Sequence, residues 1–208
     1  MRTSPDTQRG FTLIELMLVV ALGLIIMGMA IGGVPSMLKT ARADGGLTEL
    51  AAALRFARES AISNRRNVQL SFGTNTVTAT RVEYCPATCT TGTASSFAGC
   101  TATCTAKTTA LRTVTLEGRT EFTRVSGLGN TLDGFTVDAT TAGVQLGGST
   151  PAMFTTDGSF INATGDVLNG TIFISIPAEP TSARAITIFG PTGAFHLWRW
   201  NGRAWVEA

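Results

Sequence analysis

The chain opens with a short polar segment that is followed by a long apolar one. The first ten residues are hydrophilic, and charged side chains are absent from Leu16 to Leu38. A helix over residues 11–31 would be about 31 Å long at ~1.5 Å per residue, which matches a hydrocarbon core of ~30 Å. The pattern therefore predicts a transmembrane helix over residues 11–31, with the basic leader inside and the bulk of the protein exported.

Hydropathy alone leaves two other interpretations of this apolar segment open. In an ordinary secretory signal peptide, Arg2 and Arg9 would form the basic region, with a cleavage site near Ala30–Gly32. A plain membrane anchor would also account for the length of the run. Neither interpretation explains Glu15, because a carboxylate at the centre of a membrane helix costs about 2.5–3.5 kcal/mol.

A second helical pattern follows the apolar run. Gly32, Gly33 and Pro35 predict a break or kink, and the pair Gly45-Gly46 is expected to loosen the helix before its apolar stripe begins. The stripe recurs with i, i+3, i+4, i+7 spacing, predicts a helix that docks on a sheet, and ends at residues 64–67. Its members are Leu47, Leu50, Ala51, Leu54, Ala57 and Ala61.

From Val68 onward, apolar and polar residues alternate with the period of β-strands. Short strands separated by Gly-rich turns, with Asp157-Gly158 and Asp166 as turn residues, predict a sandwich-like pair of antiparallel sheets. The fold class is α+β: a long N-terminal helix (residues 11–66), half transmembrane and half amphipathic, packs on a β-rich head (residues 67–208). Strands are predicted at residues 68–72, 77–82, 111–116, 120–125, 135–138, 143–146, 152–155, 171–176, 186–189 and 195–200.

The sequence Gly-Phe-Thr-Leu-Ile-Glu-Leu at residues 10–16 resembles the cleavage and methylation signature of type IV prepilins and type II secretion pseudopilins. The resemblance implies that residues 1–10 are a leader, that prepilin peptidase cleaves between Gly10 and Phe11, and that Phe11 is then N-methylated. It also implies that Glu15 neutralises the N-terminal amine of a neighbouring subunit during assembly. The implied partners are other pilins or pseudopilins, prepilin peptidase and the inner-membrane assembly platform.

Two further segments resemble one family within this group of proteins. Residues 50–68 are similar to the second helix half of the GspH/FimT family, although Arg65 falls one place later than that pattern requires. Residues 185–193 look like that family's closing strand and turn. The implied role is a minor pilin or pseudopilin that helps to initiate a type IV pilus or a type II secretion pseudopilus. Its implied location is the inner membrane, single-pass, with a periplasmic head and a place in a periplasmic or extracellular filament.

Four cysteines lie in a Thr/Ser/Gly-rich insertion at about residues 84–106, with the spacing C-x3-C-x10-C-x3-C. Four-cysteine zinc sites favour C-x2-C knuckles, whereas an exported domain favours disulfides. Three connectivities are open. We favour the nested pairing Cys85–Cys104 and Cys89–Cys100, because it would staple the two arms of the insertion.

Little in the remaining sequence suggests catalysis. His196 is the only histidine, and its neighbours Phe195 and Leu197 predict a structural role on a strand. The chain has no phosphate-binding loop, metal triad or G-x-S-x-G elbow. We therefore expect neither enzymatic activity nor a cofactor or metal. The net charge of +2 gives no strong field for nucleic acid.

The C-terminal segment interleaves tryptophan and arginine, which are enriched at binding hot spots and at single-strand stacking surfaces. Some FimT-like pilins are linked to DNA uptake through a C-terminal Gly-Arg-x-Arg element, and here Gly202-Arg203-Ala204-Trp205 keeps only its first arginine. We favour an edge hairpin whose tryptophans cover the sheet, then contact with a partner subunit, with DNA third. The residues concerned are Trp198, Arg199, Trp200, Arg203 and Trp205.

Overall fold

The structure is a computed structural model that describes residues 11–31, 34–84, 107–129, 131–147, 151–162 and 164–208. The chain divides into two compact units, Met1–Leu38 and Lys39–Ala208. The predicted leader, the break at Gly32-Gly33 and the four cysteines lie outside the described residues, so the predictions made for them remain predictions.

Helix α1, Leu13–Ile31, belongs to the first unit. Its large apolar side chains are exposed from Leu13 to Met27, with between about half and four-fifths of each surface accessible. Across the residues that the structure describes, no helix is both long enough and apolar enough to cross a bilayer.

Helix α2, Val34–Asn64, carries the predicted apolar stripe, and all six members of that stripe are buried. The loosening expected at Gly45-Gly46 does not occur, because the helix continues through both residues. A Cβ placed on Gly46 would lie 3.4 Å from Thr120 Cγ2 and 3.6 Å from Ile174 Cδ1, which shows how closely α2 approaches the sheet here. Gly46 therefore serves packing rather than flexibility.

The C-terminus of α2 is closed by a Schellman motif. The N–H of Arg66 donates to the carbonyl of Ala61 at 3.2 Å, and the N–H of Arg65 donates to the carbonyl of Ile62 at 3.3 Å. Arg65 adopts φ +50°, the left-handed conformation that this motif requires and that glycine usually supplies. The helix thus ends within the predicted range and turns directly into the first strand.

In the part of the chain that the structure describes, twelve strands form two five-stranded antiparallel sheets and one small hairpin, which confirms the predicted α+β fold. The strands are β1 Val68–Phe72, β2 Thr76–Tyr84, β3 Lys107–Thr115, β4 Thr131–Leu132, β5 Phe135–Thr136, β6 Val144–Gln145, β7 Ala152–Phe154, β8 Phe160–Ile161, β9 Gly170–Ile174, β10 Arg184–Phe189, β11 Ala194–Trp200 and β12 Trp205–Glu207. The first sheet has the order β3-β2-β1-β7-β8, the second has the order β12-β11-β10-β9-β6, and β4 pairs with β5.

The strand predicted at residues 120–125 was wrong. Only two isolated bridges form there, Glu121 with Ser175 and Thr123 with Ala142. The N–H of Thr123 donates to the carbonyl of Glu121 at 2.9 Å, and this three-residue turn takes the segment out of a regular ladder. Strands β4, β8 and β12 were not predicted, because they have only two or three residues each.

The second sheet is covered on both faces. Ile172 and Ile174 of β9 belong to the main core, which α2 shares with strands of both sheets. Phe173, which points to the opposite face, belongs to a second cluster with Leu132 and Ala185. The β4–β5 hairpin supplies Leu132 and therefore covers the outer face of this sheet.

Candidate functional site

The first turn of α1 is built by a capping residue and a carboxylate. Thr12 precedes the helix, and the N–H of Glu15 donates both to Thr12 Oγ1 at 3.4 Å and to the Thr12 carbonyl at 3.1 Å. A threonine N-cap with glutamate three residues later is the capping-box sequence, which satisfies N–H groups that the first turn leaves unpaired. Glu15 is also the acidic residue of that turn, where the helix dipole favours negative charge.

The side chains around Glu15 are apolar and exposed. Phe11 and Leu13 each expose 78% of their surface, and Ile14 exposes 75%. The carboxylate therefore lies in a continuous apolar surface. An exposed apolar surface of this kind marks an interaction site.

The C-terminal tryptophans lie in the β11–β12 hairpin at the edge of the second sheet. Trp198 Nε1 donates to Thr187 Oγ1 at 3.0 Å, and Trp205 Nε1 donates to the Gly129 carbonyl at 3.1 Å. The rings of Trp200 and Trp205 meet edge to face, with centroids 5.5 Å apart. All three side chains are half-buried. This agrees with the interpretation of the segment as an edge hairpin whose tryptophans cover the sheet.

The arginines of the same hairpin are not covered by neighbouring residues in the way that the tryptophans are. Arg199 and Arg203 are both exposed. The tip of the hairpin is held by Asn201, whose side-chain oxygen accepts the N–H groups of Arg203 and Ala204, each at 2.9 Å. The hairpin thus separates its aromatic side chains, which pack, from its cationic side chains, which are exposed.

A short polar network that the sequence did not reveal ties the β4–β5 hairpin to the sheet. Asp133 Oδ2 accepts the hydroxyl of Thr187 at 3.1 Å and lies 2.8 Å from His196 Nδ1. Asp133 and Gly134 have φ of +53° and +76°, the conformation of a two-residue type I′ turn. The Asp-Gly pair was the available signal. An Asp-Gly pair is typical of such a turn, whereas the contact with His196 depends on long-range packing that no local pattern contains.

The two predicted turn aspartates are held by hydroxyl and amide donors. The Thr155 hydroxyl, followed by the N–H and hydroxyl of Ser159, lowers the pKa of Asp157 below its usual value. The hydroxyl of Thr164 and the amide of Asn162 likewise lower the pKa of Asp166. Within the described segments, no group of three or more His, Cys, Asp or Glu side chains could hold a metal ion. These aspartates act as turn residues.

Comparison with known families bears on the N-terminal segment. Residues 6–31 match the model described as the prokaryotic N-terminal methylation motif. This signal is typical of the precursors of pilin-type proteins. The match covers residues 6–10 of the predicted leader and all of α1, and it supports a type IV pilin-like or pseudopilin-like subunit with a structural role. No curated protein and no solved structure matches the chain at a significant level.

Proposed function

We propose that the protein is a minor pilin or pseudopilin of the GspH/FimT type, a subunit that takes part in building a type IV pilus or a type II secretion pseudopilus. The observation that carries the proposal is the methylation motif at residues 6–31, which coincides with the capped and acidic first turn of α1. The exposed apolar side chains of α1 support its association with the inner membrane, and in this proposal the β-rich unit lies in the periplasm.

The proposed mechanism begins with cleavage after Gly10 and methylation of Phe11. Cleavage creates an ammonium group one residue before Thr12, next to the positive end of the helix dipole. That charge is unfavourable where it stands unless a carboxylate offsets it. Glu15 of an adjacent subunit would pair with this amine, so that two opposite charges offset each other in an apolar environment. Because the pair forms only when the two groups are aligned, it favours a single register between neighbouring helices.

Replacement of Glu15 tests this mechanism. In the producing cell, Glu15→Ala should be processed normally but be absent from sheared or isolated filaments, whereas Glu15→Asp should restore part of the incorporation. Gly10→Val, which blocks the proposed cleavage site, should accumulate as precursor and serves as the processing control. Normal incorporation of Glu15→Ala would contradict the assembly role of this carboxylate.

A second candidate function is DNA uptake, and one observation favours it: Arg199 and Arg203 are both exposed on one hairpin. Against it, Trp198 and Trp205 use their indole N–H groups within the protein. DNA binding would weaken steeply with salt, and Arg203→Ala would reduce both the affinity and the salt slope. If the full chain does not shift a duplex in low salt, this candidate function is excluded.

A further inference from the structure

A cleft of about 370 Å³ lies between the β4–β5 hairpin and the edge of the second sheet. Phe135 and Asp138 line it from the hairpin side, and Gln145, Asn169 and Thr171 line it from strands β6 and β9 and the turn before β9. This volume is within the range of small-molecule sites, about 300–1,000 Å³. The C-terminal tryptophans described above are not among its lining residues.

Thr171 is the decisive residue in this cleft. Its side chain is fully buried, and its Oγ1 has no hydrogen-bond partner within the described part of the chain. Because Ile172 points into the main core, the side chain of Thr171 lies on the outer face of the sheet, where the cleft is. A buried hydroxyl without a partner destabilises the protein unless a bound molecule supplies the missing hydrogen bond.

The neighbouring threonine, Thr187, has the side-chain hydrogen-bond partners that Thr171 lacks within the described residues. Thr187 is the cross-strand partner of Thr171 and is equally buried. Its Oγ1 accepts from Trp198 Nε1 at 3.0 Å and donates to Asp133 Oδ2 at 3.1 Å. The two threonines thus share full burial and a cross-strand pairing, but only the Thr187 side chain has hydrogen-bond partners in the described part of the chain, and Thr171 lines the cleft.

The other polar groups of the cleft are held rigidly. Gln145 Oε1 accepts the N–H of Asp138 at 2.8 Å, and Gln145 Nε2 donates to the carbonyls of Asp138 and Ala142. Asn169 Oδ1 accepts the N–H of Gly190 at 2.8 Å, which leaves its amide nitrogen as a donor at the cleft. A wall fixed in this way costs little reorganisation when a ligand binds.

The lining determines the chemical class of the ligand. It combines one aromatic ring, one carboxylate, amide groups and a hydroxyl, and the described lining contains no lysine or arginine. Without a cation it does not favour phosphate or another anion, and one carboxylate alone is too few for a cation cage. An aromatic face beside neutral donors and acceptors suits a ring that carries several hydroxyl groups. We infer that the cleft between the β4–β5 hairpin and strand β9 binds one sugar ring, with Thr171 Oγ1 hydrogen-bonded to a ring hydroxyl and Phe135 against the ring face.

Saturation-transfer NMR on the full chain tests this inference. The protein is held in an amine-oxide detergent, because glycoside detergents would themselves occupy a sugar site. The probes are glucose, galactose and N-acetylglucosamine, with glycerol as the acyclic control. At least one sugar should receive saturation from the wild-type protein, and glycerol should not.

Two variants and one matched control locate the signal. Thr171→Val keeps the shape of the side chain and removes the hydroxyl, so it should weaken sugar binding by about tenfold or more. Phe135→Leu keeps an apolar side chain but removes the ring face, and it should also weaken binding. Thr78→Val, on β2 of the first sheet, should leave binding unchanged.

Four results would overturn the inference: no transfer to any of the three sugars, equal transfer to glycerol, transfer that survives both Thr171→Val and Phe135→Leu, or transfer that Thr78→Val also abolishes. If Thr171→Val does not fold, Phe135→Leu alone decides the outcome.

Discussion

Substitutions at the adjacent glycines of α2 should have different effects, because one glycine faces solvent and the other faces the sheet. A Cβ on Gly45 would meet nothing within 4 Å. A Cβ on Gly46 would make ordinary contacts with Thr120, Ile174 and Leu116, at 3.4, 3.6 and 3.9 Å respectively. Glycine inside a helix is about 0.8–1.0 kcal/mol less favourable than alanine. Gly45→Ala and Gly46→Ala should therefore each stabilise the protein by at least about 0.8 kcal/mol.

A larger side chain should have opposite effects on stability at the two positions. Gly45→Leu should remain stabilising because its side chain extends into open space. Gly46→Leu must displace the methyl groups of Thr120 and Ile174, and overpacking of this kind destabilises by about 1–3 kcal/mol. The same substitution at neighbouring positions thus has opposite expected signs, which makes each the control for the other.

Thermal unfolding of the full chain in detergent, followed by circular dichroism, measures these differences. For a protein of this size, 1 kcal/mol corresponds to a shift in Tm of about 2–4 °C. We expect both alanine variants and Gly45→Leu to have a raised Tm, and Gly46→Leu a lowered one. A lowered Tm for Gly45→Ala would show that the backbone is not helical there, and a raised Tm for Gly46→Leu would show that α2 is not seated on the sheet at this point.

Three further predictions concern stability. Leu54 is fully buried in the main core, so Leu54→Ala should cost about 2–5 kcal/mol in urea unfolding, whereas the exposed Glu59→Ala should change stability by less than about 0.5 kcal/mol. Arg65 has φ +50°, and Arg65→Gly should raise the Tm, because the left-handed conformation costs a non-glycine residue about 1–2 kcal/mol; an unchanged or lower Tm would contradict this. The pKa of Asp157 is lowered in the fold, so its contribution to stability is present above its unfolded pKa of about 4 and is lost as the pH falls through the folded pKa. Wild type should therefore lose stability on acidification below pH ~4 more steeply than Asp157→Asn, and parallel stability curves would refute this role.

The parts of the fold that were predictable are those with a local, repeated signal. The stripe from Leu47 to Ala61 was recognisable because a helix that packs on a sheet buries residues at a fixed spacing. Most of the longer strands were recognisable from their alternation. The N-terminal signal was also contiguous, so residues 10–16 alone were enough to indicate pilin-type processing.

What the sequence did not reveal depends on distant contacts. Strands β4 and β5 have two residues each, too few for any period, yet their hairpin covers the outer face of the second sheet. In β9, Thr171 and Phe173 face this second layer while Ile172 and Ile174 face the main core, so the strand is buried throughout and shows no alternation of burial. The cleft beside Thr171 forms between the second sheet and the hairpin that covers it. No local sequence motif could therefore predict it.

The most direct test of the proposed function is the mass of the N-terminal peptide of the mature protein isolated from membranes. We expect a chain that begins at Phe11 and carries one methyl group on its amine, in keeping with the methylation motif at residues 6–31. A mature chain that begins near Gly33 would identify the apolar segment as a secretory signal peptide. It would contradict the assembly role of Glu15 and, with it, the proposed filament function.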